Sequence, residues 1–210
     1  MRQLLVAQLR AWQAVTHPRL ISGLPVVETD DWVAFACPEP DGLSLREWRA
    51  RQADWLACWR TAGQLCEAVA AMHALGLTHG DLHPENVLLN AEGARLSRMP
   101  LFAPLPGSAF TAYHAPEQLR GQPATARSDV YSLGIILYEL FLGAHPFVAE
   151  TEELQLTLQL YSQPQSPRLR WPEIPLAIEA FLLRLLALDP NERPADGTAA
   201  LEAFRQLKPN

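Results

Sequence analysis

His79-Gly80-Asp81-Leu82-His83-Pro84-Glu85-Asn86 is the stretch on which the reading of this chain turns. Asp81 and Asn86 stand five residues apart, so one turn of chain can bring a carboxylate and an amide back to the same spot. Alone, that pair is most simply a surface turn closed by Asx hydrogen bonds. The flanks give it a setting. Residues 55–75 repeat apolar side chains at helical spacing and stop at Gly76, which predicts a long helix. Residues 87–89 and 94–99 flank Asn90-Ala91-Glu92-Gly93 and predict a small hairpin, so the polar stretch sits in the loop between the two.

Farther out, three more motifs follow in order. They are Ala115-Pro116-Glu117, then Ser128-Asp129-Val130-Tyr131-Ser132-Leu133-Gly134, then Asp189-Pro190-Asn191-Glu192-Arg193-Pro194. Together with the H-x-D-L-x-x-x-N pattern of residues 79–86, they make the chain resemble the eukaryotic-type Ser/Thr protein kinase family over nearly its whole length. The resemblance implies that Asp81 is a base orienting an attacking hydroxyl and that Asn86 turns back to share a metal ion near the phosphates. It also implies scaffold roles: Glu117 pairs with Arg193, Asp129 accepts hydrogen bonds from the catalytic-loop backbone, and His79 braces that loop. The fold it implies is α+β and mainly α, a kinase-like helical C-lobe with a truncated N-lobe.

The N-terminal part is read accordingly. Leu4, Leu5, Leu9, Trp12 and Val15 recur at three- and four-residue spacing, predicting a helix that ends at His17-Pro18. The resemblance makes this helix C. Apolar runs at 20–27 and 32–36, separated by Glu28-Thr29-Asp30-Asp31, predict a strand pair. Two strands are marginal alone and need something to pack on. Residues 1–37 are thus expected to form a remnant N-lobe, and residues 38–210 the C-lobe. In the latter, helical patterns are read at 45–51, 128–142, 152–161, 176–188 and 198–207.

Several positions depart from what the family uses to hold ATP. No Gly-rich phosphate loop precedes the first helix, the only lysine is Lys208, and Gln8 stands where the lysine's glutamate partner is expected. After the hairpin, the chain reads Arg98-Met99-Pro100 where the family has Asp-Phe-Gly. A guanidinium cannot ligate a hard cation, so Arg98 is a degenerate metal position, able instead to meet a phosphate or Asp81. Gly80 replaces an arginine that reads activation-loop phosphate. His83 stands where a lysine contacts the transferred group, and His79-Gly80-Asp81-Leu82-His83 also resembles the loop of aminoglycoside and choline phosphotransferases, where His83 would assist phosphate binding.

The functional expectation is a catalytically impaired, pseudokinase-like module acting by protein interaction, with no cofactor. The alternatives are an active minimal Ser/Thr kinase or a small-molecule phosphotransferase, which would use ATP and Mg²⁺ with Asn86 as the metal ligand, or a chain whose nucleotide-gripping strands come from upstream residues or another polypeptide. A protein partner is expected to complete the open sheet, where Trp32 marks apolar surface. The net charge of −6 speaks against a nucleic-acid surface. Gln8 and Arg10 interrupt the first apolar run, so neither a signal peptide nor a membrane span is expected. The three cysteines lack metal spacing and are read as reduced core thiols of a cytoplasmic protein. His73 and His114 are assigned to packing.

Overall fold

The computed structural model describes residues 6, 10–21, 26–29, 33–34, 41–51, 54–97 and 111–209. Gln8, Trp32, Cys37 and Arg98, together with the boundary expected at residue 37, lie outside the described residues. The helix read at the start of the chain is described in part, with residues 10–13 helical and Val6, Trp12 and Val15 buried.

The expected strand pair is β1, Val27–Glu28, and β2, Val33–Ala34, antiparallel with Val27 opposite Ala34. Among the described residues, the start of the first run is used elsewhere. Leu20 forms a parallel bridge to Leu96, and the Ile21 N–H donates to the Leu96 carbonyl at 2.9 Å. The sequence reading missed β3, Leu43–Ser44, which pairs with β4, Val87–Asn90, and β4 pairs with β5, Gly93–Leu96. A two-residue strand has too little length to show an alternation, and the turn residues before it hide it further. Gly42 permits the approach with φ 131°; a Cβ there would stand 2.5 Å from the Leu89 carbonyl oxygen.

Helices follow the expected order. They are α1, Leu45–Arg51; α2, Trp55–Ala74; α3, Pro116–Leu119; α4, Ala126–Leu142; α5, Glu152–Tyr161; α6, Leu176–Leu185; and α7, Gly197–Arg205. Asp54 caps α2 by accepting from the Leu56 and Ala57 N–H groups. Thr125 caps α4 in a capping box with Ser128, and Gly143, left-handed at φ 74°, ends it. Helix α6 stops three residues before the apolar pattern does, because Leu186 and Ala187 stay buried in the turn beyond it.

Helix α4 is apolar nearly all round, and it sits at the centre of the core with Val130 to Leu137 buried. On one side lies α2, which packs closely on α7: a Cβ at Gly197 would come within 2.6 Å of the Val69 carbonyl carbon. Trp55, Trp59, Phe141, Trp171 and Phe204 form a chain of ring contacts under α2 and α7. Trp12, Val15 and Leu20 join the same core. The loop holding residues 79–86 is therefore seated on α4 and fastened at its far end to the β4–β5 hairpin.

Candidate active site

Asp129, in the first turn of α4, is 1% exposed and holds the start of the loop. Its carboxylate accepts from the His79 and Gly80 backbone N–H groups, both at 2.7 Å, and meets His73 Nε2 at 2.9 Å. His73 Nδ1 accepts from the Gly197 N–H at 2.8 Å, so a neutral His73 carries its proton on Nε2 and donates it to Asp129. His73, read from sequence as a packing residue, thus ties α2, α4 and α7 to the loop. No spacing signal could have found it, since it lies 56 residues from its carboxylate partner.

The next residues are fixed in turn. His79 is buried; it accepts from the Asp81 N–H at 3.2 Å on Nδ1 and meets the Ser97 carbonyl with Nε2 at 3.3 Å. Burial outweighs the neighbouring Asp129 and holds its pKa below the ordinary histidine value, so the ring stays neutral. Gly80 has φ 80°, the left-handed conformation glycine adopts freely, and its carbonyl accepts from Gln118 Nε2 at 2.9 Å.

Asp81 and Asn86 come together as the resemblance implied, with His83 between them. Asn86 Nδ2 donates to the Asp81 carbonyl at 3.0 Å and meets His83 Nε2 at 2.8 Å. An amide nitrogen only donates, so His83 Nε2 accepts, and both Asn86 N–H groups are used. His83 is 4% exposed. The Asp81 carboxylate faces a second imidazole as well: His114 Nε2 lies 3.4 Å from Oδ1, while His83 Nε2 lies 3.7 Å from Oδ2. Burial alone would raise its pKa, yet His114, placed to donate from Nε2, pulls it below the usual carboxylate range, while His83 Nε2, an acceptor toward Asn86, has no proton to give Oδ2. The reading of the sequence missed His114. Its signal was its place beside Ala115-Pro116-Glu117, a segment the resemblance sets against the catalytic loop.

The expected Glu117–Arg193 pair is present and buried, with Nη1 to Oε1 at 2.8 Å and Nη2 to Oε2 at 3.0 Å. Ser128 Oγ also donates to Oε1 at 2.9 Å, which joins α3 to α4. Arg193 further donates to the carbonyls of Ala187, Leu188 and Arg127 and lies over the Tyr131 ring.

For magnesium, the described residues offer little. Asn86 Oδ1 is one neutral oxygen, Arg98 stands where the resemblance calls for an acid, and among the described residues no three His, Cys, Asp or Glu side chains are placed to share a metal ion. Among the described residues the donor set does not fit a Mg²⁺·nucleotide.

The family described as "Protein kinase domain" matches residues 3–206. Serine/threonine-protein kinase Pkn1 of Myxococcus xanthus is 29% identical over 214 residues, covering 95% of this chain and 30% of that protein. Serine/threonine-protein kinase PkaA of Streptomyces coelicolor is 31% identical over 196 residues, covering 86% and 35%. The chain thus spans about a third of the length of these curated relatives. Among solved structures, Rad53 1-466 in complex with AMP-PNP superposes with a TM-score of 0.78 at 23% identity, covering 94% of this chain and 53% of that one. The PknI kinase domain of Mycobacterium tuberculosis gives 0.75 at 22%, covering 98% and 77%.

Proposed function

Because the chain belongs to the protein kinase domain family, we propose that it is a kinase-like regulatory module with impaired phosphoryl transfer, acting in the cytoplasm by binding a protein partner. The observation that carries this reading is the Asp81 carboxylate set between His114 and His83. A general base works best with a pKa near the operating pH, and His114 moves Asp81 away from it. Arg98 supports the same reading from the sequence, since a cation there opposes the metal that phosphoryl transfer uses. Among the described residues no helix is long and apolar enough to cross a membrane, and Cys58 and Cys66 are buried free thiols, which suits a reducing compartment.

Calorimetry of ATP binding with and without Mg²⁺, paired with a phosphate-transfer assay on a generic protein substrate, tests the proposal. Absent or magnesium-independent binding with no transfer supports it. Tight magnesium-dependent binding with transfer abolished by Asp81→Asn refutes it. A second reading, a Ser/Thr kinase of reduced design, draws on one feature: with both Asn86 N–H groups engaged, Oδ1 is the atom left to a ligand.

A further inference from the structure

His145, in the loop between α4 and α5, is bonded on both ring nitrogens and is partly exposed, so water can deliver a proton to it. Its Nε2 lies 3.0 Å from the Ala112 carbonyl, in the short turn Thr111–Tyr113 that leads to His114. A carbonyl only accepts, so Nε2 carries the hydrogen. In the neutral ring Nδ1 is then a lone pair. It accepts from the Phe147 backbone N–H at 3.1 Å and from Gln155 Nε2, on α5, at 3.2 Å. A second acceptor stands beside the same nitrogen, the Phe147 carbonyl, 3.1 Å from Nδ1. The neutral ring leaves that carbonyl facing a lone pair.

A proton added at Nδ1 inverts these three contacts. The new N–H suits the Phe147 carbonyl, and it opposes the Phe147 N–H and the Gln155 amide nitrogen, both of them donors. Gln155 then has to turn its amide over and offer Oε1, or leave the ring. Ala112 keeps its bond in either state. The ionisable groups around the ring are Tyr113, edge-on at 5.8 Å, with Arg46 and Glu139 bonded to its hydroxyl, and Glu152, which accepts from Thr111 Oγ1 at 3.3 Å. Burial outweighs the two carbonyls and Arg46 adds to it, so the His145 pKa lies below the ordinary value of 6.5.

Helix α5 fastens the segment 111–114 at three places. Glu152 meets Thr111, Gln155 reaches Ala112 through the His145 ring, and Gln159 Nε2 donates to the His114 carbonyl. We propose that His145 is a proton-operated joint in this fastening: neutral, it bonds α5 to the segment that sets His114 against Asp81; protonated, it gives up the Gln155 amide nitrogen and bonds the carbonyl of its own loop. The folded chain takes up this proton less readily than the unfolded one, so the neutral joint is fully present above 6.5 and is lost as pH falls through the lower folded value. The inference is independent of whether the domain binds a nucleotide or transfers phosphate.

NMR on the whole chain tests it by following the His145 ring, the Phe147 amide and the Gln155 side-chain amide from pH 8 to pH 5. All three are expected to move with one midpoint below 6.5. Over the same range the exchange protection of the α5 backbone amides, corrected for the intrinsic pH dependence, is expected to fall severalfold. Gln155→Ala removes a donor to the neutral ring and is expected to raise the His145 midpoint by about half a pH unit. His145→Phe is expected to hold the Phe147 and Gln155 signals still; His145→Gln serves if that variant loses its folded spectrum. Phe147 and Gln155 signals that stay fixed while His145 titrates, or that still move in the His145 variants, would overturn the proposal. So would a Gln155→Ala midpoint that is unchanged or lower, or α5 protection that does not follow the His145 midpoint.

Discussion

Replacing Arg193 by alanine tests the most heavily bonded ion pair of the fold. Arg193 is fully buried at its side chain, and it makes two bonds to Glu117 and three to carbonyls near α4 and α6. Removing it leaves the Glu117 carboxylate buried beside Ser128 alone, which costs about 3–5 kcal/mol in comparable pairs. Against a typical stability of about 5–15 kcal/mol this is severe, equivalent to a fall in Tm of about 10 °C in a domain of this size. The cost should also depend on pH. Burial pushes the Glu117 pKa up, but its bonds to Arg193 and Ser128 bring it below the ordinary value of 4.5. In the native chain the carboxylate thus contributes stability that is fully present above the unfolded value and is lost as pH falls through the lower folded value. In Arg193→Ala the shift reverses, because burial is left without the guanidinium, and protonation relieves the variant. The gap between the two proteins, measured by urea unfolding, should be widest at neutral pH and narrow toward pH 4. The double variant Glu117→Gln with Arg193→Met should recover much of the loss. A cost below about 1 kcal/mol at neutral pH, or a gap unchanged with pH, would show the pair to be solvated and the reasoning wrong.

Asp129→Asn turns an acceptor for three donors into a group with one oxygen, so a loss of about 2–3 kcal/mol is expected, with faster amide exchange at His79 and Gly80. Gly197→Ala places a methyl 2.6 Å from the Val69 carbonyl carbon; thermal unfolding should show about 1–3 kcal/mol lost as α7 is pushed off α2. His114→Phe removes one of the two imidazoles on Asp81, and carboxyl NMR should find its titration moved up toward the ordinary aspartate range. Cys66, with its thiol pushed up to about 12 by burial, should resist a thiol reagent at pH 8 until the chain is unfolded by denaturant.

Much of this architecture was legible in the residues because it rests on local rules. The bounds of α1 and α5 coincide with the apolar patterns at 45–51 and 152–161, and α2 ends just before Gly76, the stop read for it. Glu117, Arg193 and Asp129 were found through the family resemblance, since nothing local distinguishes a buried charge from a solvated one. What stayed hidden was tertiary. Leu20 left its apolar run to pair with Leu96, and β3 was too short to carry a period. The histidines give the clearest case. His73 and His114 have no partners near them in sequence, yet each meets a carboxylate delivered by another element.

These contacts separate two kinds of constraint on the loop at 79–86. Its path is held by Asp129, Gln118 and Ser97 through bonds to backbone groups, with His73 bracing the Asp129 carboxylate, and loss of any of these partners leaves a buried donor or acceptor unmet. Those demands come from stability and are the same whether or not a nucleotide is ever bound. The side chains that face a reacting group are not required by that scaffold: an imidazole at His114 changes the proton affinity of Asp81 without altering the loop's backbone bonds. A kinase-shaped loop in this chain is therefore evidence about folding, and its chemistry has to be read from Asp81, His83, His114 and Arg98 themselves.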